Sequence, residues 1–409
     1  MATSIMIGLS GGPSTAINAT LAGIIRRAAA APEIDGILGA VHGIQGVLAE
    51  EFVDLRPCAD EEQLRILRQT PAMAIGSCRK KLVPEEYPQI EEILTRKGIG
   101  LFLYVGGNDS MDTVLKLSRY FQERKSPIRV VGVPKTIDND LPACDHSPGF
   151  GSAAKYLYHT MSEIIRDSVI YPVQNVVIAE IMGRDSGWLT LSAGLPRFLG
   201  KTHPQILAIP EVPFVEEDFL EQIRRIFRQG DRTVVCAVSE GIRDPQGTYV
   251  GMAAKSGKSD VFGHQYLSGV GKYLEALVTR EIGCKVRSIE LNVMQRCAAH
   301  LASEQDLREA EAVGAEAVEL ALRGESGVTL ALQRKPGAVY APEITAVPVE
   351  RIANQVRNVP EEWFQLEDPQ VREEIRAYLL PLIQGEPEQL LDEHGLPKYL
   401  ELPMEGLRF

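Results

Sequence analysis

The chain has 409 residues, of which 44% are hydrophobic, enough for a sizeable core in two α/β lobes or one large unit with insertions. Its formal charge of −12 argues against a non-specific nucleic-acid or anionic-membrane binder, so any phosphate site must be a local basic pocket in an acidic protein. The six cysteines, Cys58, Cys78, Cys144, Cys236, Cys284 and Cys297, include no CxxC pair, which points to buried thiols in a reducing compartment.

The opening segment, Met1 to Ser10, lacks a basic region followed by a long apolar stretch, and no later run approaches the roughly 18 residues that span a bilayer. A cytoplasmic protein is expected. Short Val/Ile/Leu-rich runs predict strands at Ile5 to Leu9, Gly36 to Val41, Leu101 to Val105 and Arg129 to Val133. Four more are predicted at Asn175 to Ile181, Ile206 to Ile209, Thr233 to Val238 and Lys285 to Leu291. Between them, Asp109 to Glu123, Ser152 to Arg166 and Ser303 to Arg323 have helical composition. Continuous apolar strands alternating with helices predict an α/β fold with mainly parallel sheets covered on both faces. The strand count exceeds one nucleotide-fold unit, so two α/β lobes are expected, with a boundary near Pro148-Gly149-Phe150-Gly151. Residues 1–149 form the first, completed by a later segment, and 150–341 form the second. The tail, 342–409, is rich in Pro and Glu and contains Trp363 and a helical stretch near Val371 to Leu380. It reads as an extension packed on the body, without chemistry of its own.

Chemistry concentrates at the strand ends, where open α/β sheets bind ligands. Ser10-Gly11-Gly12-Pro13-Ser14-Thr15 follows the first strand and opens a helix; an anion cradle and a tight turn both account for it. Gly106-Gly107-Asn108-Asp109-Ser110 repeats the arrangement with oxygen-bearing side chains, which suit Mg²⁺ beside substrate phosphates or a helix cap. Pro134-Lys135-Thr136-Ile137-Asp138-Asn139-Asp140 is more specific, because a turn alone does not need a cation, a hydroxyl and two carboxylates together. A carboxylate there can accept a hydroxyl proton while the lysine neutralises charge on a moving phosphoryl group. Met182-Gly183-Arg184 and Glu240-Gly241 stand at two further strand ends, where Arg184 can fork onto phosphate and Glu240 can accept from hydroxyls. Arg287 and Arg296 flank another apolar segment.

The ordered set SGG, GS-x-R, GGNDS, PKTIDND, MGR, SEG and QR, from Ile5 to Arg296, resembles the phosphofructokinase family, specifically its pyrophosphate-dependent branch. The resemblance implies two Rossmann-like lobes with the active site between them, and Mg²⁺-dependent, reversible phosphoryl transfer from pyrophosphate to O1 of fructose 6-phosphate. It makes Asp138 the base, with Asp140 and Asn108 near the metal and Thr136 at the sugar phosphate. It puts Gly12, Arg79, Gly107 and Asp109 against the donor, and Met182, Gly183, Arg184, Glu240 and Arg296 around the sugar phosphate. Arg287 is then expected to reach in from a neighbouring copy, in a homodimer or homotetramer with a shared site.

Asp109 stands where ATP-using relatives have glycine, so its carboxylate is expected to exclude a nucleotide's α-phosphate; Lys135 resembles the pyrophosphate branch. Three departures weaken the match: Asn108 replaces a metal-associated aspartate, Asn175 an arginine and Val293 a histidine. Lys398 or Arg79 is expected to compensate for the lost cations, with Tyr399 near the site. An ATP-dependent phosphofructokinase, a pyrophosphate kinase of sedoheptulose 7-phosphate and a non-catalytic regulatory subunit are the alternatives.

Overall fold

Buried aliphatic runs dictate where the chain extends, and a computed structural model, describing residues 3–251, 269–337 and 339–404, organises them into two sheets. In chain order the strands are β1 (Thr3–Leu9), β2 (Ile34–Ala40), β3 (Phe52–Asp54), β4 (Ile99–Gly106), β5 (Arg129–Pro134), β6 (Asn175–Ile181), β7 (Ile206–Ala208), β8 (Thr233–Ser239), β9 (Lys285–Glu290), β10 (Val328–Arg334) and β11 (Pro342–Pro348). Every strand expected from the sequence is present. The α/β, mainly parallel fold is therefore that of the protein.

The larger sheet has the order β11-β10-β5-β4-β1-β2-β3, parallel throughout its centre, with β3 and β11 added antiparallel at the edges. The smaller, β7-β8-β6-β9, is all parallel. The expected boundary at residue 341 does not coincide with a change of sheet, because β10 and β11 straddle it and both lie in the larger sheet. The chain thus builds one sheet, crosses to the second at the helix Phe150–Val169, and returns to finish the first. The tail begins as a strand of the first lobe, which corrects its reading as an added extension.

The helix Glu304–Leu322 joins the two lobes. It crosses the helix Ile17–Ala29 of the first lobe so closely that both contact points are glycine. A Cβ on Gly23 would stand 2.1 Å from the Glu311 carbonyl oxygen, and one on Gly314 would stand 2.2 Å from that of Thr20. At its other side, buried Asp306 accepts from the backbone N–H groups of Gly149 (2.8 Å) and Ser152 (2.9 Å). It thereby satisfies free donors at the start of Phe150–Val169, a cap supplied from a distant helix.

Alanine normally gains about 1 kcal/mol over glycine inside a helix, so the close crossing decides the sign of a substitution there. Gly23→Ala and Gly314→Ala should each cost a net ~2 kcal/mol, since backbone must move to admit the methyl group. Urea denaturation measures this; a midpoint equal to or above the parent's would show that the crossing is looser than described.

Candidate active site

Parallel strands place all their carboxyl ends on one edge, and in both sheets that edge borders one cavity of about 410 Å³. From the larger sheet come Gly11 and Gly12 after β1, Gly107 to Asp109 after β4, and Lys135 to Asp138 with Asp140 after β5. The smaller sheet adds Met182 and Arg184 after β6, Glu240 after β8 and Arg296 beyond β9; Arg79 comes from the loop after the helix Glu61–Gln69. Four cations (Arg79, Lys135, Arg184, Arg296) and five carboxylates (Asp109, Asp138, Asp140, Asp185, Glu240) line it. Of the residues expected at or near the site, Gly183, Arg287, Lys398 and Tyr399 do not.

Local backbone explains the glycines. Gly11 has φ +78°, and a Cβ on Gly12 would stand 3.2 Å from an Arg296 guanidinium nitrogen, so the first loop can lie flat against its cationic neighbours. Lys135 Nζ donates to the Gly12 carbonyl at 2.5 Å, tying the loops after β1 and β5 together. Thr136 Oγ1 accepts from the Asp138 N–H at 3.1 Å, and Ser186 Oγ donates to the Asp138 carbonyl at 3.1 Å. Asn139 takes φ +57° between the two aspartates, its side chain donating to Tyr378 Oη (2.8 Å) and accepting from the Ser147 N–H (3.0 Å). The asparagine is therefore structural, and it turns Asp138 and Asp140 into the same cavity.

Electrostatics follow from removing these groups from water. Burial lowers the Lys135 pKa to about 8, against the opposing pull of Asp138 and with help from Arg296. Burial raises Asp138, although Lys135 and Arg184 resist. Asp140 is pushed up to about 7 by burial and then by Asp138, and Glu240 to about 7 by burial and again by Asp138. Asp138, Asp140 and Glu240 thus hold protons more tightly than in water, as a base near neutral pH requires. Among the described residues, the Nε atoms of Arg184 and Arg296 are buried without a hydrogen-bond partner. Two unpaired guanidinium N–H groups on one cavity call for an anion to complete them.

Asp109 lies in the first turn of the helix Asn108–Glu123, whose positive end faces the cavity, and its carboxylate has no partner among the described residues. Asn108 behaves differently. Its Nδ2 donates to the Gln355 carbonyl, and its Oδ1 accepts from the Asn354 N–H at 2.5 Å. Both polar atoms are committed to the tail, which sets it apart from the open oxygen ligand expected of it. Gly183 takes φ +121° and its carbonyl accepts from Ser239 Oγ at 2.5 Å, so it shapes the loop from behind. Arg287, on the edge strand β9, is exposed and faces Asp167 at 3.4 Å.

Asn175 sits at the opposite end of β6 from the cavity, donating to Thr233 Oγ1, and Val293 is exposed. Arg79 lines the cavity, but Lys398 faces Glu62 at 3.6 Å and Tyr399 is half exposed away from it. Sequence reasoning missed Ser186, Gln295 and the tail residues Asn354 and Val356. Gln295 Oε1 accepts from the Met182 N–H at 3.1 Å and so sets the loop after β6; its adjacency to Arg296 was the available signal. The tail was read as lacking chemistry, yet Asn354 and Val356 line the cavity.

Residues 4–321 match the family model described as Phosphofructokinase. The chain is 39% identical over 406 residues to the pyrophosphate–fructose 6-phosphate 1-phosphotransferase of Xanthomonas campestris, covering 98% of this chain and 96% of that one. It is 36% identical to the enzyme of the same name from Halomonas elongata, covering 96% and 94%. The pyrophosphate-dependent phosphofructokinase structure from Marinobacter aquaeolei superposes with a TM-score of 0.86 at 32% identity, covering 100% of this chain and 98% of that one.

Behind the cavity, His146 is buried between Asp145 (Nδ1, 2.8 Å) and Glu309 (Nε2, 2.8 Å), pinning the loop after Asp140 to the interlobe helix. Burial opposes its charge, but the two carboxylates outweigh that and raise its pKa to about 9 from the ordinary 6.5. A raised histidine stabilises fully below the unfolded value and loses that contribution as pH climbs through the folded one. The parent's urea midpoint should therefore fall between about pH 6.5 and about 9 more steeply than that of His146→Gln. Parallel profiles for the two proteins would mean that the ring is neutral throughout.

Proposed function

Because the chain belongs to the phosphofructokinase family, we infer that it transfers a phosphoryl group from pyrophosphate to O1 of fructose 6-phosphate, giving fructose 1,6-bisphosphate and phosphate. The observation that carries the reading is the single cavity in which Lys135 and two partly unpaired arginines face carboxylates of raised proton affinity. The reaction needs both an anion grip and a base, and the same strand ends supply them.

Asp138 takes the proton of the sugar 1-hydroxyl as O1 attacks the nearer phosphorus of pyrophosphate; the bridging P–O bond breaks and inorganic phosphate leaves with those electrons. Lys135, held against the Gly12 carbonyl, neutralises charge on the phosphoryl oxygens during transfer. Gly12, Gly107 and Arg79 border the donor. Arg184 and Arg296 offer phosphate oxygens the N–H groups that lack a partner among the described residues, and Met182, Thr136 and Glu240 complete the sugar side, Glu240 accepting from hydroxyls. One anhydride bond is exchanged for one ester, so the step runs in either direction, toward glycolysis or away from it.

The donor set fits Mg²⁺. That ion takes one or two carboxylates beside substrate phosphates and keeps several waters. Asp140, with Asp138 beside it, meets that modest demand, whereas no group of three or more His, Cys, Asp and Glu is arranged for a metal among the described residues. When bound with pyrophosphate, the ion would supply charge neutralisation and would relieve the repulsion between the two aspartates. Asn108 belongs outside that shell, since its amide is already engaged.

Asp109 selects the donor: its carboxylate, without a partner among the described residues, occupies the helix end where a nucleotide's α-phosphate would otherwise lie. We also assign Arg287 to a neighbouring copy's site, because it stands exposed on an edge strand away from its own cavity; this makes the enzyme a homodimer or homotetramer. A cytoplasmic location accords with the reaction, and no helix among the described residues is long and apolar enough to cross a membrane.

Steady-state assays with fructose 6-phosphate should give turnover with pyrophosphate and little with ATP; a clear preference for ATP would overturn the donor assignment. Asp109→Gly should raise ATP use by at least roughly tenfold if removing like charge recovers about 1.4 kcal/mol, and unchanged ATP use would mean that Asp109 is not the gate. Asp138→Asn should lower kcat by about 10²–10⁴-fold with KM values little changed, and near-normal turnover would rule out its role as base.

A further inference from the structure

Arg357 lies in the tail and does not line the cavity, yet each of its guanidinium nitrogens donates to one stretch of backbone, the loop that carries the two aspartates, while Nη2 also donates to Tyr378 Oη at 3.3 Å. Its Nε (3.2 Å) and Nη2 (3.0 Å) both donate to the Asn139 carbonyl, the peptide oxygen between Asp138 and Asp140. Its Nη1 donates to the carbonyls of Cys144 (2.7 Å) and Asp145 (2.5 Å), farther along the same loop. Its own backbone N–H donates to the Asp140 carbonyl at 2.8 Å. The guanidinium is stacked 4.3 Å from the centre of the Trp188 ring, whose indole N–H donates back to the Arg357 carbonyl at 3.1 Å. Such a planar fork, fixed on an aromatic face, holds several acceptors in one geometry.

The strand of tail around it reaches both lobes. Asn354 and Gln355 bind Asn108 at the donor side, while the Val359 N–H donates to Glu211 Oε1 (3.0 Å), which also accepts from the Gly187 N–H (2.8 Å) beyond β6. The loop after β5 is thus held from outside by a segment that is itself anchored across the cavity mouth. Its left-handed residue, Asn139, carries the carbonyl that receives two of the bonds.

We propose that Arg357 is a positioning residue for phosphoryl transfer: it fixes the Asp138-Asn139-Asp140 backbone so that the Asp138 carboxylate meets the sugar hydroxyl in reactive geometry. This rests on Asp138 acting as the base. Near-attack alignment is sensitive to displacements of about 1 Å, which can cost about 10²-fold in rate. Substrate affinity is supplied elsewhere, by Arg184, Arg296 and Lys135, so the effect falls on turnover.

The test compares Arg357→Lys, Arg357→Ala and Asp138→Asn in the full chain, with pyrophosphate and fructose 6-phosphate as substrates and thermal melting as a check on folding. Lysine keeps the charge but cannot fork onto three carbonyls. Both Arg357 variants should lose about 30- to 100-fold in kcat with each KM within about threefold of the parent. Guanidinium ion at a sub-denaturing concentration should recover at least tenfold of the alanine variant's loss and have no such effect on the lysine variant. A folded Arg357→Lys protein with kcat within twofold of the parent overturns the proposal, as does a loss that appears in KM alone. So does an activity loss that follows the fraction unfolded and is unmoved by guanidinium. If the alanine variant does not fold, the lysine variant decides by the same kcat and KM criteria. Should Asp138→Asn turn over normally, the base assignment fails; a dead Asp138→Asn beside unaffected Arg357 variants removes the Arg357 proposal alone.

Discussion

Lys135 sits buried beside two aspartates, and the site depends on that confinement. In water the ammonium and carboxylates would be individually stable and weakly coupled. Inside the cavity, burial lowers the lysine's pKa and raises those of Asp138 and Asp140, so each group relies on the others and on an incoming anion for its charge. On the proposed function, pyrophosphate would bring negative charge to the lysine and arginines, and a divalent cation, when bound, would bring positive charge to the aspartates. Among the described residues, no protein group partners the buried Nε of Arg184 or of Arg296, so the cavity leaves these cationic N–H groups for an anion to meet.

Such confinement demands a rigid frame, and the two parallel sheets provide it. Carboxyl ends of β1, β4 and β5 face those of β6, β8 and β9 across one cavity, so chemistry comes from six strand ends while the strands themselves remain apolar. The relative placement of the lobes then matters as much as either lobe. It is set by the helix Glu304–Leu322, which presses glycine to backbone against the first lobe and caps the first helix of the second through Asp306. The His146 bridge to Glu309 carries the same helix's position to the loop behind the aspartates.

Strands with unbroken aliphatic character were legible in the sequence because burial on both faces leaves no other composition. β11 was not, since it starts and ends with proline and reads as irregular tail; an edge strand tolerates proline at such points. β10 was hidden by its position directly after a long helix that the expected bounds, 150–341, assign to the second lobe. In the site, Lys135, Asp138, Arg184 and Glu240 could be picked out because side chains of several chemistries were crowded at strand ends. Arg357 could not, because its partners in the aspartate loop are backbone carbonyls as far as 218 positions away, and a carbonyl leaves no mark in a sequence.

Asn108 draws these strands together. As a missing carboxylate it counted against a functional metal site, but the structure gives the amide work that a carboxylate could not do. It donates to the Gln355 carbonyl and accepts from the Asn354 N–H, whereas an ionised aspartate is acceptor-only and would face that carbonyl with like charge. The amide also leaves one negative charge fewer in a loop where Asp109 already supplies a carboxylate to the cavity. Asparagine here thus fastens the tail across the cavity mouth, and the tail so fastened is the one that carries Arg357 to the backbone between the two aspartates.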